Sequence, residues 1–154
     1  MAKDLLLHLA DPDATATLAR QIADSLAPGD AVLLRGPIGA GKSHCARAMI
    51  RHLTHEEQEV PSPTYTLVQG YETVRGPLWH MDLYRLGEAD ELVELGLDEM
   101  LDDAICLIEW PEKLGALTPG RHLALTLAQD GEGRLARIAG SGGGWDRMFG
   151  ELAG

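Results

Sequence analysis

The strongest chemical signal in the chain is Gly36-Pro37-Ile38-Gly39-Ala40-Gly41-Lys42-Ser43. It satisfies every specified position of the phosphate-loop pattern G-x-x-x-x-G-K-[ST]. Glycines let the backbone wrap an anion with its N–H groups turned inward, and the helix that follows adds the positive end of its dipole. Lys42 then faces the β- and γ-phosphates of a nucleotide, and the Ser43 hydroxyl is placed to ligate Mg²⁺. Gly36, Ile38, Gly39, Ala40, Gly41, Lys42, Ser43 and His44 are therefore candidate nucleotide contacts. The plain alternative, a glycine-rich turn without a ligand, fits less well, because an apolar strand pattern precedes the loop and a helical one follows it.

A phosphate loop works with an acid at the end of a neighbouring buried strand. Asp82 ends Leu78-Trp79-His80-Met81, and Glu109 ends Ile105-Cys106-Leu107-Ile108. Spacing does not rank the two, and either could simply terminate a strand. One could bind the metal directly while the other acts through water or as a base. The chain has no asparagine, so the guanine-reading N-K-x-D motif is absent and ATP is favoured by elimination. A D-x-x-G match at Asp130-Gly131-Glu132-Gly133 falls in an expected hairpin turn, far from any switch, and reads as a decoy. His80 reads as a hydrogen-bonded structural histidine. No Cys or His spacing suggests a zinc site.

The surrounding elements alternate between strand and helix. Leu5–Leu9 and Ala31–Leu34 read as strands, with a helix between them capped by Asp11 or Asp13 and carrying Leu18, Ile22 and Leu26. Cys45–Leu53 continues the phosphate loop as a helix. Residues 66–72 and 78–81 read as strands around a turn at Arg75-Gly76-Pro77, and 90–101 as a helix that Gly96 weakens or interrupts. Residues 104–108 form a fully apolar strand, and 123–127 with 135–139 a hairpin. The fold class is α/β: a phosphate-loop sandwich, mainly parallel, with antiparallel additions and a C-terminal hairpin. Residues 1–139 are expected to form one domain, followed at 140–154 by a glycine-rich joint and a short tail.

The 154 residues carry 13 Lys and Arg against 24 Asp and Glu, a net charge of -11 that leaves no overall basic footprint for nucleic acid. Residues 88–103 hold eight acids and neither Lys nor Arg; the default reading is a solvated face, and the sharper one a docking surface for a basic partner. Two cysteines in apolar runs read as reduced, packed thiols. No signal segment or membrane span is evident, so a soluble, cytoplasmic protein is expected.

Four signatures in order, Gly36–Ser43, Ser62-Pro63-Thr64-Tyr65-Thr66, His80-Met81-Asp82-Leu83-Tyr84-Arg85-Leu86 and Ile108-Glu109-Trp110, resemble the bacterial TsaE family of tRNA threonylcarbamoyladenosine biosynthesis ATPases. The resemblance spans about residues 10–127. It implies a small ATPase using ATP and Mg²⁺ with the TsaB and TsaD proteins, which modify the adenosine next to the anticodon of ANN-decoding tRNAs. The tRNA would be met only through that complex. By position, Lys42 and Ser43 bind phosphate and Mg²⁺, Glu109 is the direct metal ligand, and Asp82 is a second acid suited to the metal's water shell or the attacking water. Thr64 lies in a loop resembling a γ-phosphate switch, Trp110 flanks the site, and Thr15 matches a position near the nucleotide. Ser43 replaces the family's usual Thr, and Pro37 a common Asp. A small metabolite kinase and a nucleotide-dependent assembly switch are the competing readings; the ten scattered arginines supply no obvious kinase lid.

Overall fold

Side chains alternate along an extended strand, so Val32 and Leu34 face one side of the sheet and Ala31 and Leu33 the other. All four are buried, because helices cover both faces. In the computed structural model, which describes residues 3–153, seven strands form one sheet: β1 (Lys3–Leu9), β2 (Ala31–Arg35), β3 (Val68–Thr73), β4 (Gly76–Asp82), β5 (Ile105–Glu109), β6 (His122–Asp130) and β7 (Gly133–Ser141). Their order is β1-β7-β6-β2-β5-β4-β3. The centre, β6-β2-β5-β4, is parallel, while β1–β7, β7–β6 and β4–β3 are antiparallel. This is the expected sandwich, with its apolar strands central and its hairpins at the margins.

One face is covered by α1 (Pro12–Ala23), α2 (Lys42–Leu53) and α5 (Asp146–Ala153). Leu18, Ile22, Met49 and Ile50 meet Val32, Leu34, Leu107 and Leu125 there. Asp11 caps α1, accepting from the Ala14 N–H at 2.8 Å, and Pro12 follows where a missing donor costs nothing. The other face carries the short helices α3 (Asp90–Glu94) and α4 (Leu97–Asp103), whose Leu92 and Leu97 pack on Leu33, Met81 and Ile108. Gly96 separates the two helices at φ 93°, so the break anticipated within 90–101 is a complete one. Among the described residues, no helix is long and apolar enough to cross a membrane.

Two differences from the sequence reading bear on packing. Gly76 and Pro77 lie in β4 rather than in the turn, which is confined to Val74-Arg75. Pro77 is tolerated because β4 pairs there only with β3, at the edge of the sheet. The larger correction concerns 140–154, read as a glycine-rich joint and a short tail. β7 runs through Gly140 and Ser141, and α5 returns to the core with Trp145, Met148 and Phe149 buried. Gly140 serves close packing: a Cβ there would lie 2.9 Å from the Trp145 ring. Both cysteines are free and buried, their thiols pushed up to about 12 by burial.

Candidate functional site

The carboxyl ends of the central parallel strands converge on the phosphate loop. Parallel register sets Leu34 beside Glu109 and Asp82 beside Glu109, so both acids stand next to the loop that leaves β2. Gly36 must lack a side chain: its φ is 140°, and a Cβ would lie 2.4 Å from the Leu127 carbonyl oxygen. Gly41 opens α2 in the left-handed region at φ 105°.

Within this frame, a cleft of about 310 Å³ brings together Ile38, Gly39, Gly41, Lys42, Ser43, His44, Thr64, Asp82, Glu109 and Trp110. The Ser43 hydroxyl donates to Glu109 Oε1 at 2.8 Å, and His80 Nε2 meets Glu109 Oε2 at 2.6 Å. His80 Nδ1 is buried without a partner. The Nε2–H tautomer satisfies the carboxylate and leaves only a bare lone pair buried, so His80 fixes how Glu109 presents its other oxygen. It is the hydrogen-bonded structural histidine anticipated, and its partner is a site acid.

Asp82 is held separately. Its Oδ1 accepts from the Tyr84 N–H at 3.0 Å and its Oδ2 from the Thr64 hydroxyl at 3.1 Å. Since Thr64 donates there, Ser62 donates to Thr64 at 2.7 Å. The chain of hydroxyls thus ties the Ser62–Thr64 loop to the end of β4.

Lys42 is buried, donates to the Gly36 carbonyl, and lies 3.4 Å from the centre of the Trp110 ring. Burial holds its pKa below the usual lysine value, against the opposing pull of Glu109, Glu112 and Asp82. Trp110 reaches this place through a left-handed backbone turn at φ 58° and packs on Tyr84 with ring centroids 5.0 Å apart. A non-glycine residue in that region is uncommon and stores strain at the site.

The remaining sequence candidates lie around the loop. Gly36 stands behind Lys42, and Ala40 is buried beneath the loop. Thr15 is buried in an adjoining cleft of about 220 Å³ with Asp11, Pro12, Ala40, Gly41, His44, Glu132, Gly133 and Arg134, outside the cleft of the acids. His44 borders both clefts, and its Nε2–H donates to the Pro12 carbonyl at 3.0 Å.

Arg134 is the residue that sequence reading missed. From β7 it donates to the Ala40 carbonyl at 3.0 Å and the Gly39 carbonyl at 3.1 Å, bracing the loop from across the sheet. The Asp130–Gly133 segment does form a hairpin turn, but Glu132 and Gly133 line the Thr15 cleft, so the turn is not remote from the site. No local pattern marks this; it follows from β7 pairing beside β6, which pairs beside β2.

The donor set around Ser43 consists of hard oxygens. Among the described residues, no three His, Cys, Asp or Glu side chains converge into a metal site. A hydroxyl and a carboxylate in contact, with a second carboxylate nearby, suit a cation that keeps water and substrate oxygens in its shell, as Mg²⁺ does.

These features define an α/β protein of the phosphate-loop fold, with a cleft at the carboxyl end of its parallel strands. Residues 9–137 match the profile of the family described as threonylcarbamoyl adenosine biosynthesis protein TsaE, and the chain belongs to that family. The tRNA threonylcarbamoyladenosine biosynthesis protein TsaE of Rickettsia felis is 43% identical over 107 residues, 70% of this chain and 63% of that protein's length. The corresponding Rickettsia conorii protein is 39% identical over 125 residues, covering 80% and 71%, and that of Bacillus subtilis 33% over 131 residues, covering 84% and 81%. A crystal structure of Bacillus subtilis YdiB superposes with a TM-score of 0.82 at 27% identity, covering 99% of this chain and 96% of that one.

Proposed function

We propose that this chain binds and hydrolyses ATP with Mg²⁺ and, in the cytoplasm, serves TsaB and TsaD as they modify the adenosine next to the anticodon of ANN-decoding tRNAs. The observation that carries the reading is the contact of Ser43 with Glu109 directly beneath the phosphate loop, with Lys42 and Asp82 lining the same cleft. Ser43 and Glu109 would hold Mg²⁺, with Asp82 as second acid. When bound, the ion neutralises charge on the β- and γ-phosphates.

The chain's own groups do the rest. The loop N–H groups and the start of α2 cradle the phosphates. Lys42 exchanges its Gly36 contact for phosphate oxygens, whose negative charge adds to the pull of Glu109, Glu112 and Asp82 against its burial cost. Asp82, held by Thr64 and Tyr84, orients the attacking water. Thr64 links that carboxylate to the Ser62–Thr64 loop, which lets the loop report on the γ-phosphate. The Thr15 cleft takes the nucleoside. The acidic segment 88–103, on α3 and α4, is the proposed docking surface for basic partner residues.

Phosphate release from Mg-ATP tests this, with the chain alone, with TsaB and TsaD, and with Lys42→Ala as control. Low activity alone and a partner-dependent rise that the variant loses would support the reading. High activity that ignores both partners would overturn it and redirect the search to kinase acceptors.

A further inference from the structure

The net charge of -11 conceals one basic groove. It runs between α1 and α2 over a floor of Ala16 and Ala48, with a volume of about 300 Å³. Arg20 enters from α1, and Arg47 and Arg51 from α2, so three of the chain's ten arginines share one groove. On α2, positions 44, 47, 48, 51 and 52 recur at three- and four-residue spacing and form one continuous face.

The arginines are poorly compensated. The guanidinium groups of Arg20 and Arg47 make no hydrogen bond or ion pair with any described residue, and Arg51 donates only its Nε, to the Gln58 carbonyl at 3.0 Å. His52 meets Asp24 at 2.7 Å, and Glu56 is the one acid lining the groove. Arginine stems do cover apolar surface near helices. Such cover does not explain three guanidinium groups gathered on one side of an acidic protein, with Arg47 half-buried and unpaired.

The groove's own charges set its field. α1 and α2 lie on one face of the sheet, and the acidic α3 and α4 on the other. Salt screens exposed charges beyond about 10 Å at 0.1 M. Arg47 and Arg51 stand one helical turn apart, about 6 Å along the axis, and Arg20 faces them from α1. A row of this kind suits a ligand with repeated anionic groups, and the planar guanidinium fork suits phosphate oxygens. His44 also lines the groove, which therefore adjoins the nucleotide cleft.

We propose that the α1–α2 groove is a binding site for the sugar-phosphate backbone of RNA, a direct contact that the overall composition disguises. The choice of RNA over an acidic peptide rests on membership of a tRNA-modification family; it does not rest on the ATPase reading.

The test is fluorescence anisotropy of a labelled anticodon stem-loop RNA with the full chain between 25 and 150 mM salt, scaled to order of magnitude by counterion release. Weak binding is expected, with a log–log salt slope of about -2 to -3 for two or three neutralised phosphates. The double variant Arg20→Glu/Arg47→Glu should bind at least about tenfold more weakly at low salt and flatten that slope. Arg20→Gln/Arg47→Gln, verified by its melting curve, should fall between the two. Mg-ATP binding should be unchanged in both variants, so failure of this site is separable from failure of the nucleotide site. RNA affinity that is unaffected by the variants would overturn the proposal. So would equal capture of a polyglutamate peptide, which would reassign the groove to an acidic protein segment.

Discussion

Trp145 decides whether the C-terminal residues belong to the folded core. Its ring is 4% exposed and lies under Gly140 of β7. Its Nε1–H donates to the Ser141 carbonyl at 3.1 Å, and the Arg121 guanidinium stacks 4.1 Å from its centre. Arg121 in turn pairs with Asp30, just before β2, and donates to the Gly143 carbonyl at 2.6 Å. Trp145→Ala empties a site walled by strand backbone, which cannot collapse readily, so a loss of about 3–5 kcal/mol is expected. For a chain of this size each kcal/mol moves the melting temperature by roughly 2–4 °C, which gives a drop of about 6–20 °C. Thermal and urea unfolding of the full-length variant measure it. Truncation after Ser141 should go further, because Met148 and Phe149 lose their burial too. A variant melting within about 2 °C of wild type would refute the reasoning and return residues 142–153 to the status of a peripheral tail.

Lys42→Met should abolish nucleotide binding without lowering stability near neutral pH. The folded-state pKa of Lys42 lies below its unfolded value because burial disfavours the ammonium. Its charge therefore opposes folding at every pH below the folded pKa, and that penalty fades only as pH rises toward the unfolded value. A neutral apolar replacement removes the penalty, and paired melting and nucleotide titrations check both parts. Arg134→Ala frees the Gly39 and Ala40 carbonyls from their brace and should weaken nucleotide affinity about tenfold, or ~1.4 kcal/mol; calorimetric titration with an ATP analogue would show it, and undiminished affinity would count against the brace. Reversing Asp98, Glu99 and Asp102 should weaken assembly with TsaB and TsaD while leaving ATP binding intact; co-elution that resists the change would make the segment a solvated face.

The phosphate loop was legible because its chemistry is local: glycine conformations, one lysine and one hydroxyl all fall within eight residues, and the helix they open continues directly. The central strands were legible for a related reason, since burial on both faces of a parallel sheet requires unbroken apolar runs such as Ala31–Leu34 and Ile105–Ile108. Asp82 and Glu109 were visible as the acids ending such runs. Which of them meets Ser43 was not visible, because that depends on β5 lying next to β2 and β4 one strand further out.

Tertiary structure alone decided the rest. His80 became the support of Glu109 through pairing between β4 and β5, a relation between residues 29 positions apart. Arg134 reached the phosphate loop from 94 residues away across two strand pairings. In the glycine-rich stretch that composition marks as a joint, Gly140 packs closely on Trp145 and Gly142 and Gly144 on Arg121, because small residues permit contact as readily as they permit motion. The basic groove arose from two helix faces that are unremarkable separately and become a row of cations only when α1 and α2 pack together. Composition and spacing determine what a segment is able to do. Long-range pairing determines which groups meet, because the entropy of closing those loops is recovered only by the assembled core.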